Sequence, residues 1–393
     1  MTELGTDIQV GVLGAGTMGA GIAQVAATQG HDVWVYEVQK SAIDKAQAQL
    51  DKILNRLVEK QRHTPEERES IGKRLRFTQN LADLKACGLV IEAIVEDVGI
   101  KKKVFADLEQ QVSEDAVLAS NTSSLSIAAI GAALKNPGRF VGLHFFNPAP
   151  LMPLVEVIPG IATHASVTQR AKAWMDGWGK TTVVAKDTPG FIVNRVARPF
   201  YGEAIRILEE GIADSATIDW AMKDLGGFRM GPFELMDFIG NDINLKVTQT
   251  VYEAFFYDPR YRPSFTQQRL VEAGFLGRKA GRGYYRYTPD APPNEPTKDP
   301  ALGETVFRRI LAMLINEAVD AVFWKVASPQ DVETAMTRGV NYPKGLLQWG
   351  REWGFAEVLD VLDSLHKEYC EDRYRPSPLL RRVVAKSTSL LDS

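Results

Sequence analysis

The chain has 393 residues, 45% hydrophobic and 24% charged, with a formal net charge of −3 at pH 7. This length favours two or three domains, and the charge gives no reason to expect a nucleic acid or membrane partner. Two cysteines, Cys87 and Cys370, are too few for a disulfide framework or a zinc site, and no apolar run reaches the roughly 18 residues of a membrane span, so we expect a cytoplasmic protein without a metal.

A glycine-rich loop follows the first predicted strand. The strand covers residues 8–13, the loop GAGTMG covers residues 14–19, and an apolar helix leads to a second strand at residues 32–36. Glu37 comes directly after that strand, where a carboxylate can accept hydrogen bonds from ribose hydroxyls and repel a 2′-phosphate. The order of strand, glycine loop, helix, strand and acid predicts a dinucleotide site that prefers NAD to NADP.

Each position of the loop has a physical role in such a site. Gly14 permits the tight turn, Gly16 lets a pyrophosphate approach the backbone, and Gly19 allows the helix to pack closely. Thr17 and Met18 lie at the helix amino terminus, whose amides attract negative charge. We therefore predict that all five residues contact the cofactor.

The pattern that follows is typical of a doubly wound α/β sheet. Helices at residues 41–62 and 64–74, the second with Thr64 as its cap and Pro65 at its first position, form an insertion near residues 41–75. The alternation then resumes with strands at 89–93, 116–120 and 139–145 and a helix at 99–112. We predict a parallel Rossmann-type sheet, with ligands beyond the carboxyl ends of its strands.

The segment GLHFFNPAPLMPLVEVI, residues 142–158, carries the main catalytic hypothesis. Its two apolar runs predict adjacent strands, with His144 and Glu156 at their ends and the imidazole between substrate and carboxylate. A proton leaving a hydroxyl through His144 would accompany a hydride leaving for a nicotinamide. The competing interpretation is a structural core histidine, but the other four histidines have no comparable setting, and the strand ends also carry Glu96, Ser123 and Asn147.

Helical patterns dominate after residue 187. We predict a nucleotide-binding domain at residues 1–187, a helical domain at 188–287, a proline-rich linker at 288–300, and a further helical domain at 301–393. Residues 202–240 match residues 316–354 at a constant offset of 114, and RYRPS occurs at both 260–264 and 373–377. The helical domain is therefore predicted to be present in two tandem copies.

The chain resembles the 3-hydroxyacyl-CoA dehydrogenases, NAD enzymes of fatty-acid and related acyl-CoA oxidation. The resemblance covers residues 8 to about 287 and rests on motifs in the family's order. They are GAGTMGAGIA, VIEAIVED, SNTSSLSI, GLHFFNPAPLMPLVEVI, KDTPGFIVNR, GPFELMDFIG and GRKAGRGYYRY. The resemblance implies reversible oxidation of a (3S)-3-hydroxyacyl-CoA to a 3-oxoacyl-CoA by NAD.

The resemblance also implies roles for individual residues. His144 matches the catalytic base and Glu156 the carboxylate that supports it, while Ser123 and Asn194 match catalytic groups that bind the substrate oxygens. Without the resemblance, Ser123 could be a turn residue and Asn194 a helix-start residue. Glu96 and Lys101 could likewise be a surface ion pair. The positions that match NAD contacts, besides the glycine loop, are Glu37, Glu96, Lys101, Ser123 and Asn147.

The helical insertion resembles the part of the family that offers basic residues to coenzyme A. Lys60 matches such a lysine, although it could also be an ordinary surface residue. Ile53 stands where the family has a serine, which leaves the details of coenzyme A binding open.

The second helical copy is predicted to lack an active site. At the offset of 114, Asn194 falls on Arg308, and nothing corresponds to GRKAGRGYYRY. Because two-domain members of the family dimerise through the helical domain, a fused copy is expected to give either a monomer with an internal pseudo-dimer or a homodimer through another surface. A role of Trp324, Trp349 and Trp353 as walls of the acyl pocket competes with a plain core role.

The substrate stays open at this stage. Acetoacetyl-type, longer fatty and carboxylated adipyl-type acyl groups are all compatible with the motifs. A dehydrogenase of free 3-hydroxy acids and a dinucleotide-binding protein without catalysis are the more distant alternatives.

Overall fold

A computed structural model describes residues 5–386. The chain forms two compact units that divide between Thr188 and Pro189, the first of α/β type and the second helical. The Rossmann-type sheet and the helical region expected from the sequence are thus confirmed. Within residues 5–386, no helix combines the length and apolarity that a membrane span requires.

The α/β unit contains one eight-stranded sheet in the order β3-β2-β1-β4-β5-β6-β7-β8. Its central strands are apolar and almost fully buried because helices cover both faces, which is typical of parallel sheets. The strands are β1 Gln9–Leu13, β2 Val33–Tyr36, β3 Leu75–Thr78, β4 Cys87–Glu92, β5 Val117–Ser120, β6 Phe140–Phe145, β7 Leu154–Pro159 and β8 Thr181–Val184.

The expectation of a wholly parallel sheet is wrong at one point. Strands β6 and β7 pair in an antiparallel sense, whereas every other neighbouring pair is parallel. Residues 146–153 join β6 to β7 without a crossover helix, and such a short connection returns the chain beside the strand that it left. The two short strands β3 and β8 were also not predicted.

Within residues 5–188, six α-helices complete this unit. The predicted start of the second insertion helix is confirmed, because Thr64 accepts from the Glu67 amide at 3.2 Å and the Glu67 carboxylate accepts from the Thr64 amide at 2.8 Å. The helices are α1 Thr17–Thr28, α2 Lys40–Glu59, α3 Pro65–Arg74, α4 Val98–Glu109, α5 Ile127–Gly131 and α6 Ala165–Gly177.

The helical unit is built around one long buried helix, α13, which packs against α8, α15, α16 and α17. Residues 288–299, within the predicted linker, contain no helix or strand, and α13 begins at Pro300. The helices are α7 Val193–Val196, α8 Arg198–Glu209, α9 Ser215–Trp220, α10 Pro232–Ile239, α11 Asn241–Ala254, α12 Phe265–Glu272, α13 Pro300–Phe323, α14 Pro329–Gly339, α15 Leu346–Trp353, α16 Phe355–Tyr369 and α17 Pro378–Lys386.

A buried charged cluster joins α7 to α13. Arg195 Nε donates to Glu317 Oε1 at 2.7 Å, and the Tyr261 hydroxyl donates to the same oxygen at 2.6 Å. Arg260 Nη1 lies 3.6 Å from the other carboxylate oxygen. Burial favours the neutral acid, but the two guanidinium groups and Tyr261 hold the pKa of Glu317 below its ordinary value, so the glutamate is charged at neutral pH.

A second cluster repeats this arrangement in the reverse direction. Arg309 of α13 donates from Nε to Glu203 Oε1 of α8 at 2.6 Å, and the Tyr374 hydroxyl donates to that oxygen at 2.8 Å. Arg373 Nη1 lies 3.5 Å from Glu203 Oε2. Residues 195 and 317 in one cluster thus correspond to residues 309 and 203 in the other. The same residue types thus meet in both clusters, with the two sides exchanged.

We predict that Glu317→Gln lowers the free energy of unfolding by about 3 kcal/mol, since it removes one of the two buried carboxylates that Arg195 and Arg260 share and leaves them only Asp320 in common. Urea unfolding of the full chain, followed by circular dichroism, measures the loss. Because the folded-state pKa of Glu317 is depressed, its contribution is present above the unfolded-state pKa and is lost as pH falls through the lower folded-state value.

Glu304→Gln provides the matched control for this prediction. Glu304 lies on the same helix and pairs with Arg308, but both side chains are about half exposed, 49% each. We expect a change of only a few tenths of a kcal/mol there. Equal losses for the two variants would contradict the assigned importance of the buried cluster.

Candidate active site

His144 and Glu156 stand directly opposite each other in the antiparallel pair β6–β7. His144 Nδ1 lies 2.6 Å from Glu156 Oε2, with Glu156 fully buried and His144 6% exposed. The Phe146 ring packs on the imidazole at a centroid distance of 4.5 Å. The backbone register therefore brings the predicted pair together and fixes the orientation of the ring.

Asn121 positions the strand that carries His144. Its side-chain oxygen accepts from the Phe145 amide at 2.8 Å, which ties the end of β5 to the end of β6. Sequence reasoning included Asn121 only as a letter of the SNTSS motif. Its place directly after a buried strand, where polar side chains meet at the sheet edge, was the signal that could have identified it.

The pair Glu96 and Lys101 is buried on its lysine side, which excludes the alternative of a surface ion pair. Lys101 is 1% exposed, and its ammonium group lies 2.6 Å from Glu92 and 3.1 Å from Glu96. Glu92 is fully buried at the end of β4 and also accepts from the Ser120 hydroxyl at 2.6 Å. Sequence reasoning missed Glu92, because an acid inside an apolar strand has no local signal of its partner.

Glu96 holds the loop that contains Ser123. One carboxylate oxygen accepts from the Ser123 amide at 3.1 Å and from the Thr122 hydroxyl at 2.5 Å. Burial opposes ionisation of Glu96, but Lys101, Thr122 and the Ser123 amide outweigh it and lower the pKa of Glu96. Glu96, Lys101 and Ser123 thus form one connected group at the ends of β4 and β5.

The glycine loop leaves room for a ligand on one side only. Gly14 has φ = +99°, and a Cβ on Gly19 would meet the Gly14 carbonyl oxygen at 2.0 Å, so both positions require glycine. A Cβ on Gly16 would meet no atom within 4 Å, because this residue faces open space. The loop therefore presents its backbone to the cleft at Gly16.

The residues around this loop fit NAD. Helix α1 has no side-chain cap and no acid in its first turn, so the amides of Thr17 and Met18 are available to a pyrophosphate. Glu37 Oε2 accepts from the Ala15 amide at 3.1 Å at the end of β2, where an adenine ribose would lie. A cleft of about 670 Å³ is lined by Gly14, Ala15, Gly16, Thr17, Tyr36, Glu37, Ala93, Ile94 and Val95, among others.

Three further predicted site residues are Asn147, Lys60 and Asn194. Asn147 is exposed just after β6, before Pro148, and Lys60 is exposed at the carboxyl end of α2. Asn194 belongs to α7 of the helical unit and is half-buried. Among residues 5–386, no cluster of three histidine, cysteine, aspartate or glutamate side chains could hold a metal ion.

His31 is also held inside the α/β unit, but its partners are a backbone carbonyl and an indole, not a carboxylate as for His144. His31 is 1% exposed, its Nδ1 lies 3.0 Å from the Ile8 carbonyl oxygen, and its Nε2 accepts from the Trp178 indole at 3.0 Å. Burial lowers the pKa of His31. Both ring nitrogens of His31 bind groups in the core. His31 therefore has the purely structural setting that was the competing interpretation of His144.

Two family models match this chain over nearly its whole length. The NAD-binding domain of 3-hydroxyacyl-CoA dehydrogenase matches residues 9–188. The C-terminal domain of the same family matches residues 190–287 and again residues 306–389. Both units of the structure are thus covered by one family.

Relatives and solved structures agree with these matches. A 3-hydroxyadipyl-CoA dehydrogenase of Escherichia coli is 39% identical over 95% of this chain and 96% of its own. A 3-hydroxybutyryl-CoA dehydrogenase of Bradyrhizobium diazoefficiens is 43% identical over 71% of this chain and 95% of its own. The crystal structure of an Escherichia coli 3-hydroxybutyryl-CoA dehydrogenase superposes with a TM-score of 0.91 at 38% identity, covering 98% of this chain and 99% of that one. The chain therefore belongs to the 3-hydroxyacyl-CoA dehydrogenase family of NAD-dependent oxidoreductases.

Proposed function

We propose that this protein oxidises a (3S)-3-hydroxyacyl-CoA reversibly to a 3-oxoacyl-CoA, with NAD as hydride acceptor and His144 as general base. The observation that carries the proposal is the 2.6 Å contact between His144 Nδ1 and buried Glu156. Because Glu156 engages Nδ1, Nε2 is the nitrogen with which His144 can act on a substrate hydroxyl.

A cytoplasmic location fits two cysteines without a disulfide, one buried and one exposed.

His144 and Glu156 account for the removal of the proton from the C3 hydroxyl. As the C3 hydroxyl loses its proton to Nε2, the C3 carbon and oxygen form a carbonyl, and the imidazole becomes a cation. The Glu156 carboxylate stabilises that cation across Nδ1 and keeps the ring in one tautomer. Bound NAD supplies the chemistry that completes the oxidation, since it accepts the hydride from C3.

Ser123 and Asn194 are proposed to bind the substrate oxygens. Hydroxyl and amide groups suit this task because they donate hydrogen bonds without competing for the transferred proton. The anchoring of the Ser123 amide by Glu96 supports a fixed position for this loop. Asn147 and Lys101 are proposed as further NAD contacts and Lys60 as a coenzyme A contact, on the family resemblance.

The acyl group is proposed to be short, with the two best-supported choices distinguished by charge. One Escherichia coli relative, which covers 95% of this chain, is named for a six-carbon dicarboxylic acyl group, 3-hydroxyadipyl. Several relatives that match 71% of the chain, and an Escherichia coli structure that covers 98% of it, are named for 3-hydroxybutyryl, which ends in a methyl group. Such reactions belong to fatty-acid oxidation and related acyl-CoA metabolism.

We predict that His144→Gln lowers kcat about 10²- to 10⁴-fold, the usual contribution of a general base, while NADH binds as tightly as before. NADH absorbance measures turnover of acetoacetyl-CoA, and NADH fluorescence measures binding. His31→Gln is the matched control, because His31 is an equally buried histidine with both nitrogens engaged in the core. That control should lose stability and keep its kcat; near-native turnover of the His144 variant would overturn the assignment of the base.

We predict that Glu37→Ala weakens NADH binding about tenfold and narrows the preference for NADH over NADPH. The carboxylate lies at the end of β2, beside the loop amide of Ala15, and its charge opposes a 2′-phosphate. Dissociation constants for both nucleotides, measured by fluorescence titration, test this. If the ratio between the dissociation constants for NADH and NADPH stays unchanged, Glu37 does not contact the ribose of the cofactor.

The helical unit is proposed to consist of two tandem copies of one domain. The reciprocal pairs Arg195–Glu317 and Arg309–Glu203 support this, as does the double match of the family's C-terminal domain. We propose residues 1–187 and 188–287 as the catalytic pair of domains, 288–300 as linker and 301–393 as the second copy. Arg308 stands in that copy where the first has Asn194, which supports a role without catalysis.

From this duplication we predict that the protein is a monomer of 43.5 kDa in solution, because the second copy already covers the face that a partner subunit would use. Light scattering coupled to size exclusion gives the mass. A dimer whose subunits cross-link through residues 188–287 would contradict the proposal, whereas a dimer through the α/β unit would restrict it to the helical surface.

A further inference from the structure

Lys180 immediately precedes β8 and is a half-buried cation that contacts backbone oxygens instead of an acid. Its ammonium group donates to the Ala149 carbonyl oxygen at 2.5 Å and to the Met152 carbonyl oxygen at 2.9 Å. No carboxylate among residues 5–386 lies within 4 Å of this group, whereas two carboxylates surround Lys101. Burial lowers the pKa of Lys180. The ammonium group therefore stabilises one stretch of backbone rather than a negative charge.

Both carbonyl oxygens belong to residues 146–153, which we call the connecting segment. This segment leads from β6, which carries His144, to β7, which carries Glu156. The Thr181 amide donates to the carbonyl oxygen of Pro153 at 2.8 Å, so the start of β8 holds the segment by three hydrogen bonds. The start of β8 thus fixes the turn between the strand of the proposed base and the strand of its carboxylate.

Helix α1 contacts the connecting segment at a glycine. A Cβ on Gly21 would lie 3.3 Å from both Ala149 Cβ and Pro150 Cδ, so the helix and the segment are closely packed there. Ala149 is 2% exposed. Within the segment, the Met152 amide donates to the Pro148 carbonyl oxygen at 3.0 Å. The turn is therefore ordered by its own hydrogen bond, by α1 and by the start of β8.

The sheet order indicates which half of a dinucleotide Asn147 can meet. Strand β6, which ends two residues before Asn147, is four strands away from β2, at whose end Glu37 stands. With roughly 4.8 Å between neighbouring strands, these strand ends are about 19 Å apart. A proton and a hydride that leave the same C3 carbon require the nicotinamide beside His144. Asn147 therefore lies on the nicotinamide side of the sheet edge, and Glu37 lies on the adenine side.

We propose that Lys180 is a positioning residue for the cofactor, because it fixes the connecting segment and thereby holds Asn147 in place for the nicotinamide half of NAD. This inference rests on the proposed function, in which Asn147 contacts NAD. Asn147 is exposed, so its amide gains no fixed position from burial. A backbone that is ordered in advance removes the entropic cost of ordering it when the cofactor binds.

The test measures binding of NADH and of ADP-ribose, which has the adenine half and the diphosphate but no nicotinamide. We expect Lys180→Met to raise the dissociation constant of NADH about tenfold and that of ADP-ribose by less than about twofold. Fluorescence titration gives the constant for NADH, and calorimetry gives the constant for ADP-ribose. Equal weakening of both ligands, or unchanged binding of NADH, would overturn the proposal. Lys180→Gln keeps a polar group at this half-buried position and, as a second variant, should show the same selective loss.

Lys172→Met is the matched control for this test. Lys172 lies on α6, and its ammonium group donates to Asp176 at 2.9 Å and to Thr182 of β8 at 2.8 Å, so it contacts β8 without holding the connecting segment. We expect both dissociation constants to stay unchanged in this variant. If Lys172→Met weakens NADH binding as much as Lys180→Met does, the effect is a general loosening around β8 and the proposal fails.

A double-mutant cycle shows whether Lys180 acts through Asn147. Asn147→Ala should weaken NADH binding about tenfold, and adding Lys180→Met should weaken it little further, because both changes remove the same contact. Independent effects that multiply would overturn the proposal, and so would unchanged NADH binding in Asn147→Ala. Absence of turnover of acetoacetyl-CoA in the unaltered protein, with the selective loss of NADH binding intact, would refute the proposed reaction and leave the role of Lys180 in place.

Discussion

The antiparallel pairing of β6 with β7 is the constraint on which the catalytic proposal depends. A parallel successor would need a crossover of a dozen or more residues, whereas the short return places Glu156 directly opposite His144. A slip of one residue would turn Glu156 to the other face of the sheet. The hydrogen bond from the Phe145 amide to Asn121 holds the end of β6 and thereby the position of the imidazole.

The same edge of the sheet concentrates charge in an ordered way. Lys101 is shared by Glu92 and Glu96; Glu92 also accepts from Ser120, the last residue of β5, and Glu96 from Ser123 just after it. A buried ammonium group is tolerable here because two carboxylates surround it. The arrangement fixes the Ser123 loop through Glu96, so the residues proposed to meet substrate and cofactor are supported by a second layer of buried ion pairs.

The local parts of the structure could be predicted from sequence, and the long-range parts could not. The glycine loop, the cap at Thr64 and the pairing of His144 with Glu156 depend on residues close in sequence. Strand β3 is short and half-exposed, with little apolar pattern to distinguish it from the helix before it. The direction of β7 depends on how the chain turns after β6. The partners of Glu92 and Arg195 depend on packing that no local pattern encodes. Arg195, for example, contacts Glu317, which lies 122 residues away in sequence.

The helical unit contains two buried charged clusters of the same composition. In each cluster a buried glutamate lies within 4 Å of two arginines and accepts a hydrogen bond from a tyrosine hydroxyl, so the buried charges are compensated by groups far away in sequence. The paired residues of the two clusters are related by the same offset of 114 at which the sequence repeats, so the charge pairing and the sequence repeat support the same proposed duplication.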